Sequence, residues 1–157
     1  MANIRIELYR PEYKEDFIRL NTEWITTFFK IEESDILALN NVEEYIIGKG
    51  GQIFLAIDEN RGEVLGCCAL IKHPDTGTTE MGKMAVTPKA QGLGLGRKLG
   101  QALIDYARQN GIKKIFLEGN TKMEASIILY RKLGFEEVPI SEASYERCDI
   151  MMTLDIK

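Results

Sequence analysis

Residues 91–100 read "QGLGLGRKLG" and hold four of the chain's 14 glycines: Gly92, Gly94, Gly96 and Gly100. Downstream, Leu95, Leu99 and Leu103, with Ala102 and Tyr106 beside them, recur at helical spacing until Asn110 and Gly111 supply a stop. Upstream, "TTEMGKMAV" at 78–86 reads as a strand that Pro88 closes. Glycine inside a helix costs about 1 kcal/mol relative to alanine, so four glycines at the start of one need a reason. A strand–glycine loop–helix junction offers bare backbone N–H groups and the positive end of a helix dipole. It has no side chains to hold a phosphate away. No acidic residue falls between Glu80 and Asp105, whereas Lys83, Lys89, Arg97 and Lys98 all do. This is a local +4 in a chain of net charge −4. The plainer alternative is a flexible turn beside a solvated basic face.

Two common phosphate motifs do not fit. No Gly-Lys-Ser/Thr follows the loop, so it is not a Walker A sequence. Counting G-x-G-x-x-G from Gly92 lands on Arg97, and from Gly94 on Leu99, so the dinucleotide fingerprint fails as well.

Working outward, "IRIEL" alternates Ile4, Ile6 and Leu8 as a half-buried first strand. After Pro11 the period changes. Tyr13, Phe17, Leu20, Trp24 and Phe28 predict an amphipathic helix. A second, broken helical region follows, with Ser34 able to cap one piece, Asn41 and Glu44 a capping box for the next, and "KGG" ending it. "QIFLAI", "VLGCCALI" and "TTEMGKMAV", joined by "DENRGE" and "HPDTG", predict an antiparallel meander. After the glycine-led helix come the strand "KKIFLEG", the helix "EASIILYRKLGF" ended by Gly134, and the strands "FEEV" and "RCDIMMTLDI". The order β-α-α-β-β-β-α-β-α-β-β is an α/β layered domain with a mixed sheet.

Bulk properties fit one soluble domain spanning residues 1–157. Composition is 45% hydrophobic and 28% charged, and the acidic balance argues against nucleic-acid binding. No run approaches the roughly 18 apolar residues of a membrane span, and "MANIRIELYRPEYKEDF" lacks a signal-peptide core. Cys67, Cys68 and Cys148 form no CxxC, and His73 is the one histidine, so no metal site is expected. The cysteines fall in apolar strand runs and read as core residues. A reducing, cytoplasmic compartment is the simplest home. His73, before Pro74, reads as a solvated loop residue.

Three motifs together resemble the Gcn5-related N-acetyltransferase (GNAT) family. Its loop Arg/Gln-x-x-Gly-x-Gly/Ala is matched by Gln91, Gly94 and Gly96. Its Leu-Ala-Val-like strand end corresponds to "MAV" at 84–86, and its Leu-Tyr-x-x-x-Gly-Phe helix to "LYRKLGF" at 129–135. The element order also matches, so the resemblance covers essentially the whole chain. It implies an acyl-CoA N-acyltransferase fold, with a central mixed, largely antiparallel twisted sheet of about seven strands flanked by about four helices.

The resemblance further implies an enzyme moving an acetyl group from acetyl-CoA to a primary amine of a small molecule or peptide, by direct attack and without a metal. The backbone of Met84, Ala85 and Val86 would take the pantetheine arm. The amides of Gln91, Gly92, Leu93, Gly94, Leu95, Gly96 and Arg97 would take the diphosphate. An N–H at the strand end, that of Val86, would face the thioester oxygen. Tyr130 is the implied general acid for the departing thiolate, and Glu80 the candidate base. Packing of Tyr130 in the core, and pairing of Glu80 with a lysine, are the structural alternatives. Many members place an asparagine seven residues before the tyrosine, where this chain has Met123. Asn120 and Ser126 are candidates for cofactor contact in its stead. Trp24, Phe28, Phe29, Tyr45, Tyr145 and Arg147 are candidate walls on the acceptor side. A non-catalytic acyl-CoA-binding or sensing module, and transfer of a larger acyl group, stay open. Homodimers are common in such folds.

Overall fold

The computed structural model describes residues 3–157, so residues 1 and 2 of the expected single domain lie outside the described ones. The strands are β1 (Ile4–Leu8), β2 (Gln52–Asp58), β3 (Glu63–His73), β4 (Thr78–Val86), β5 (Lys114–Gly119), β6 (Glu136–Val138) and β7 (Ile150–Asp155). The helices are α1 (Lys14–Phe28), α2 (Glu33–Asn40), α3 (Leu95–Gln109) and α4 (Glu124–Leu133). The strands form one seven-stranded sheet in the order β1-β2-β3-β4-β5-β7-β6. All neighbours are antiparallel except β4 and β5, which α3 connects as a parallel crossover.

Side-chain alternation splits the core into two layers. From β2, Ile53, Leu55 and Ile57 face Phe17, Leu20, Leu39 and Ile46 beneath α1 and α2. Phe54 and Ala56 point the other way, toward Leu99, Leu103 and Ala107 of α3. Both faces of the middle strands are therefore covered, which is why "VLGCCALI" reads as a continuous apolar run. Leu99 and Leu103 are fully buried, and truncating either to alanine would cost about 2–5 kcal/mol.

The parallel junction is short. Only Glu80 and Phe116 register between β4 and β5, and beyond them the strands part. The parting has a local cause in β4. Cys67 pairs with Ala85 and Ala69 with Gly82, so Lys83 and Met84 together oppose Cys68. This is a β-bulge, and Lys83 carries it at φ 52, a left-handed conformation costing a non-glycine residue about 1–2 kcal/mol. The bulge bends the end of β4 away from β5 and leaves a wedge-shaped opening in the middle of the sheet.

Three local expectations are corrected. Helix α2 is capped by Glu32, not Ser34: Asp35 Oδ2 accepts the Glu32 N–H at 2.9 Å, which closes a capping box. Ser34 instead donates to the Ser144 carbonyl. No box forms at Asn41 and Glu44. That stretch becomes a π-helical turn over Glu43–Ile47, and the Asn41 amide bonds back to Leu37. The last strand begins at Ile150, because residues 139–149 form a long loop packed over the sheet.

Candidate active site

The glycine loop opens a groove of about 500 Å³ bordered by the end of β4, the start of α3 and one face of α4. Gly92 (φ 88) and Gly94 (φ 75) sit in the left-handed region, and nothing lies within 4 Å of where their Cβ atoms would be. Gly94 caps α3, whose first-turn amides have no acceptor within the helix. A Cβ on Gly96 would meet Leu129 at 2.9 Å, and one on Gly100 would meet Leu133 at 2.5 Å. The first two glycines thus bare the backbone, and the other two let α3 lie against α4.

The charge of this groove comes from fewer residues than the sequence suggests. Lys83 and Lys89 are taken by Asp35 and Glu63. Arg97 and Lys132 line the groove, and no acidic side chain does. The Thr87 backbone N–H donates to the Leu65 carbonyl at 2.8 Å, so by strand alternation the backbone polar groups of Met84 and Val86 turn from β3 toward the opening. A ligand with an anionic end and an extended, amide-bearing arm fits this surface.

The groove runs into the wedge between β4 and β5, a cleft of about 90 Å³. Glu80 and Tyr130 both line it, one from β4 and the other from α4. Glu80 is only 3% exposed, and its Oε1 lies 2.8 Å from His73 Nε2. Tyr130 is half-buried with its ring edge-on to Phe135. Burial pushes its hydroxyl up to about 12, against the nearby Ser126 side chain. The phenol therefore carries its proton at neutral pH and has one to donate.

The far wall is an ion cluster that joins three separated parts of the chain. Asp35, wholly buried, accepts Lys83 Nζ at 2.6 Å and both guanidinium nitrogens of Arg147, at 2.8 and 2.9 Å. Burial alone would raise the Asp35 carboxyl, but the Arg147 hydrogen bonds and the Lys83 charge hold it down at about 2. Burial lowers Lys83, with Asp35 opposing. Tyr145 receives Lys83 Nζ at 3.0 Å, and burial followed by the charges of Glu80 and Asp35 drives its hydroxyl far upward. Arg147 stacks 4.3 Å over the Tyr145 ring and also meets Glu32. The 139–149 loop is thereby fastened to α2.

One carboxylate in the cleft is left over. Glu118 Oε1 accepts the Ser144 and Tyr145 amides, whereas its Oε2 is buried with no hydrogen-bond partner. Burial, then the charge of Glu80, raises this carboxyl. Asp35, Glu32, Glu80 and Glu118 outnumber the cations Lys83 and Arg147 around the cleft. Such a site can accept a hydrogen bond or a proton from a cationic ligand.

Most sequence-singled residues converge here. Met84, Ala85, Val86, Gln91, Gly92, Gly94, Leu95, Gly96, Arg97 and Ser126 border the groove, and Trp24, Phe29, Tyr145 and Arg147 wall the cleft. Leu93 does not join them, being half-exposed with its N–H turned to the Ala90 carbonyl. Asn120 reaches the cleft, but its amide is spent on the Arg147 carbonyl and the Lys122 N–H. Tyr45 stays in the α1–α2 layer. His73 is not a solvated loop residue but the last residue of β3, and Cys148 sits in the loop beside Glu118 rather than in a strand. The sequence reading missed Asp35, Lys83 and Glu118. Only Glu118 had a signal, lying at the carboxyl end of a strand beside a crossover helix, where α/β sheets bind ligands.

The fold, with its backbone groove opening into a cleft between β4 and β5, is that of an α/β acyltransferase. Residues 7–135 match the family described as Acetyltransferase (GNAT) family, and the chain belongs to it. It is 26% identical to an uncharacterized N-acetyltransferase of Schizosaccharomyces pombe over 95% of this chain and 96% of that one. Other curated acetyltransferases match over less than two thirds of their own length. A GNAT-family acetyltransferase structure from Staphylococcus aureus Mu50 superposes with a TM-score of 0.86 at 26% identity, covering 99% of this chain and 100% of that one. The fold is also shared with a phosphinothricin acetyltransferase from Sinorhizobium meliloti in complex with acetyl-CoA. That match has a TM-score of 0.79 at 20% identity, covering 99% and 89% of the two chains.

Proposed function

We propose that the protein transfers the acetyl group of acetyl-CoA to a primary amine of a small molecule or peptide by direct attack. The observation that carries this reading is the continuous path from the bared amides at Gly92 and Gly94, along the free edge of β4, to a cleft flanked by Tyr130 and Glu80. The amides at the start of α3 receive the diphosphate, with Arg97 and Lys132 adding charge. Met84 and Val86 hydrogen-bond the pantetheine arm as an added strand would, and the Val86 N–H faces the thioester oxygen as it gains charge.

An ammonium entering the cleft meets the unpartnered Glu118 Oε2, which holds and orients it. Glu80 takes one of its protons and frees the lone pair. As the carbon–sulfur bond breaks, Tyr130 protonates the departing thiolate. Titration calorimetry with CoA tests the groove, and thiol release from acetyl-CoA over a panel of amines tests the cleft. Tyr130→Phe is expected to lower kcat by about 10²–10⁴-fold with CoA affinity retained. Unchanged turnover in that variant would remove Tyr130 as the acid, and no heat with CoA would remove the whole reading.

A further inference from the structure

Transfer to a protonated amine releases one proton per turnover. The ammonium and the thioester become an amide, a thiol and a free H⁺. With both substrates bound, the cleft holding Glu80 is filled from its open side, so a proton taken by Glu80 needs another way out. Glu80 is 3% exposed, and the side chain that the structure sets against its carboxylate is His73, at 2.8 Å.

The sheet dictates that pairing. Ile71 registers with Glu80 and His73 with Thr78 across the β3–β4 ladder. His73 is thus the diagonal neighbour of Glu80 on the same face, within reach of a long side chain. The ring packs on Phe116 at 5.9 Å. His73 does not line the reaction cleft. It lines a separate cavity of about 470 Å³ at the other end of the hairpin, open to solvent, and its side chain is 25% exposed there. Asp75 from the hairpin turn, Lys114 from β5 and Glu142 from the long loop face the same cavity. On the inner side, the charges of Glu80 and its neighbours Glu118, Tyr145, Tyr45 and Lys83 act on one another.

We infer that His73 is the proton exit of the site, carrying the proton from Glu80 along that face of the sheet to solvent in the hairpin cavity. The inference rests on Glu80 acting as the base. Glu80 takes a proton from the ammonium and becomes a neutral carboxylic acid. Its O–H bond breaks toward His73 Nε2, giving carboxylate and imidazolium. The imidazolium then loses a proton to water in the outer cavity, and proton exchange with that water resets the ring to the tautomer whose bare Nε2 faces Glu80. Separately, the thiolate takes the Tyr130 proton, and the second proton lost by the attacking nitrogen restores the phenol. The net release is one H⁺.

The test uses the full chain, acetyl-CoA and an amine that the wild type acetylates, with kcat and KM measured from pH 6 to 9. His73→Ala is expected to lower kcat by about 10- to 100-fold with amine KM held. Free imidazole, which the open cavity admits, is expected to restore much of the loss. His73→Gln, which keeps a hydrogen bond to Glu80 but cannot relay a proton, is expected to be as slow as the alanine variant. Full activity in His73→Gln, unchanged kcat in His73→Ala, or a loss that imidazole does not recover would each overturn the exit. Glu80→Gln separates the two readings. Wild-type turnover in that variant overturns Glu80 as the base and the exit with it. A slow Glu80→Gln beside an active His73→Ala overturns the exit alone.

Discussion

The groove at the glycine loop and the cleft beneath the 139–149 loop adjoin each other, yet they are assembled from different materials. The groove is mostly backbone: left-handed glycines, first-turn amides and a strand edge. The cleft wall is side chain: Asp35, Lys83, Arg147, Tyr145 and Glu118, drawn from α2, β4, β5 and the long loop. A backbone site depends on a few local residues in a fixed order. A side-chain site depends on which distant segments the fold brings together. The two halves should therefore fail in different ways.

The largest effect is expected from Asp35→Asn, which leaves Lys83 and Arg147 buried without their shared anion. Breaking such a cluster costs about 3–5 kcal/mol. In a domain of this size, that lowers the melting temperature by roughly 10 °C. Thermal melts measure the drop, and calorimetry well below the melt should find CoA affinity unchanged. Loss of both together would mean the halves are not separable. The same residue sets an acid limit. Its folded carboxyl titrates at about 2 against an ordinary 3.8. Its stabilisation is thus complete above pH 3.8 and disappears as pH falls toward 2. Acid titration followed by tryptophan fluorescence should show wild type losing stability in that window, and Asp35→Asn lacking that component.

Next comes Glu118→Gln. Removing a charge-assisted contact to an ammonium is expected to raise amine KM by about 10- to 100-fold and leave CoA affinity alone. An unmoved KM would take Glu118 out of acceptor binding. On the groove side, Gly94→Val places a branched side chain at φ 75 and crowds the anion's approach. The CoA dissociation constant should rise about tenfold, read by calorimetry, with amine KM unchanged. Smallest is Leu93→Ser. Its side chain faces away from the groove, so CoA affinity should stay within about 0.5 kcal/mol of wild type, and a larger loss would return Leu93 to the loop's binding surface.

The same contrast explains what could be read in advance. Element order and the groove were legible because their signals are local. Alternation marks β1, the 3.6-residue period marks α3, and Gly111 and Gly134 stop helices at φ 74 and 106. The fourfold basic stretch was legible as composition only. The pairing of two of its members, Lys83 with Asp35 and Lys89 with Glu63, depends on partners 48 and 26 residues away. Asp35 looked like an ordinary acid in a short helix, and nothing nearby announces that Arg147 folds back onto it. His73 was misplaced for a related reason. Pro74 suggested a loop, while the ladder extends β3 to His73 and sets it diagonal to Glu80.

Lys83 links the shape of the opening to its polarity. A glycine there would relax the backbone at φ 52 but strip the acceptor wall of a cation. An arginine would keep a charge in a space fitted to an amine head 2.6 Å from its counter-ion, without easing the turn. How widely the central strands gape and which charges a guest encounters are consequently inherited together, through one codon.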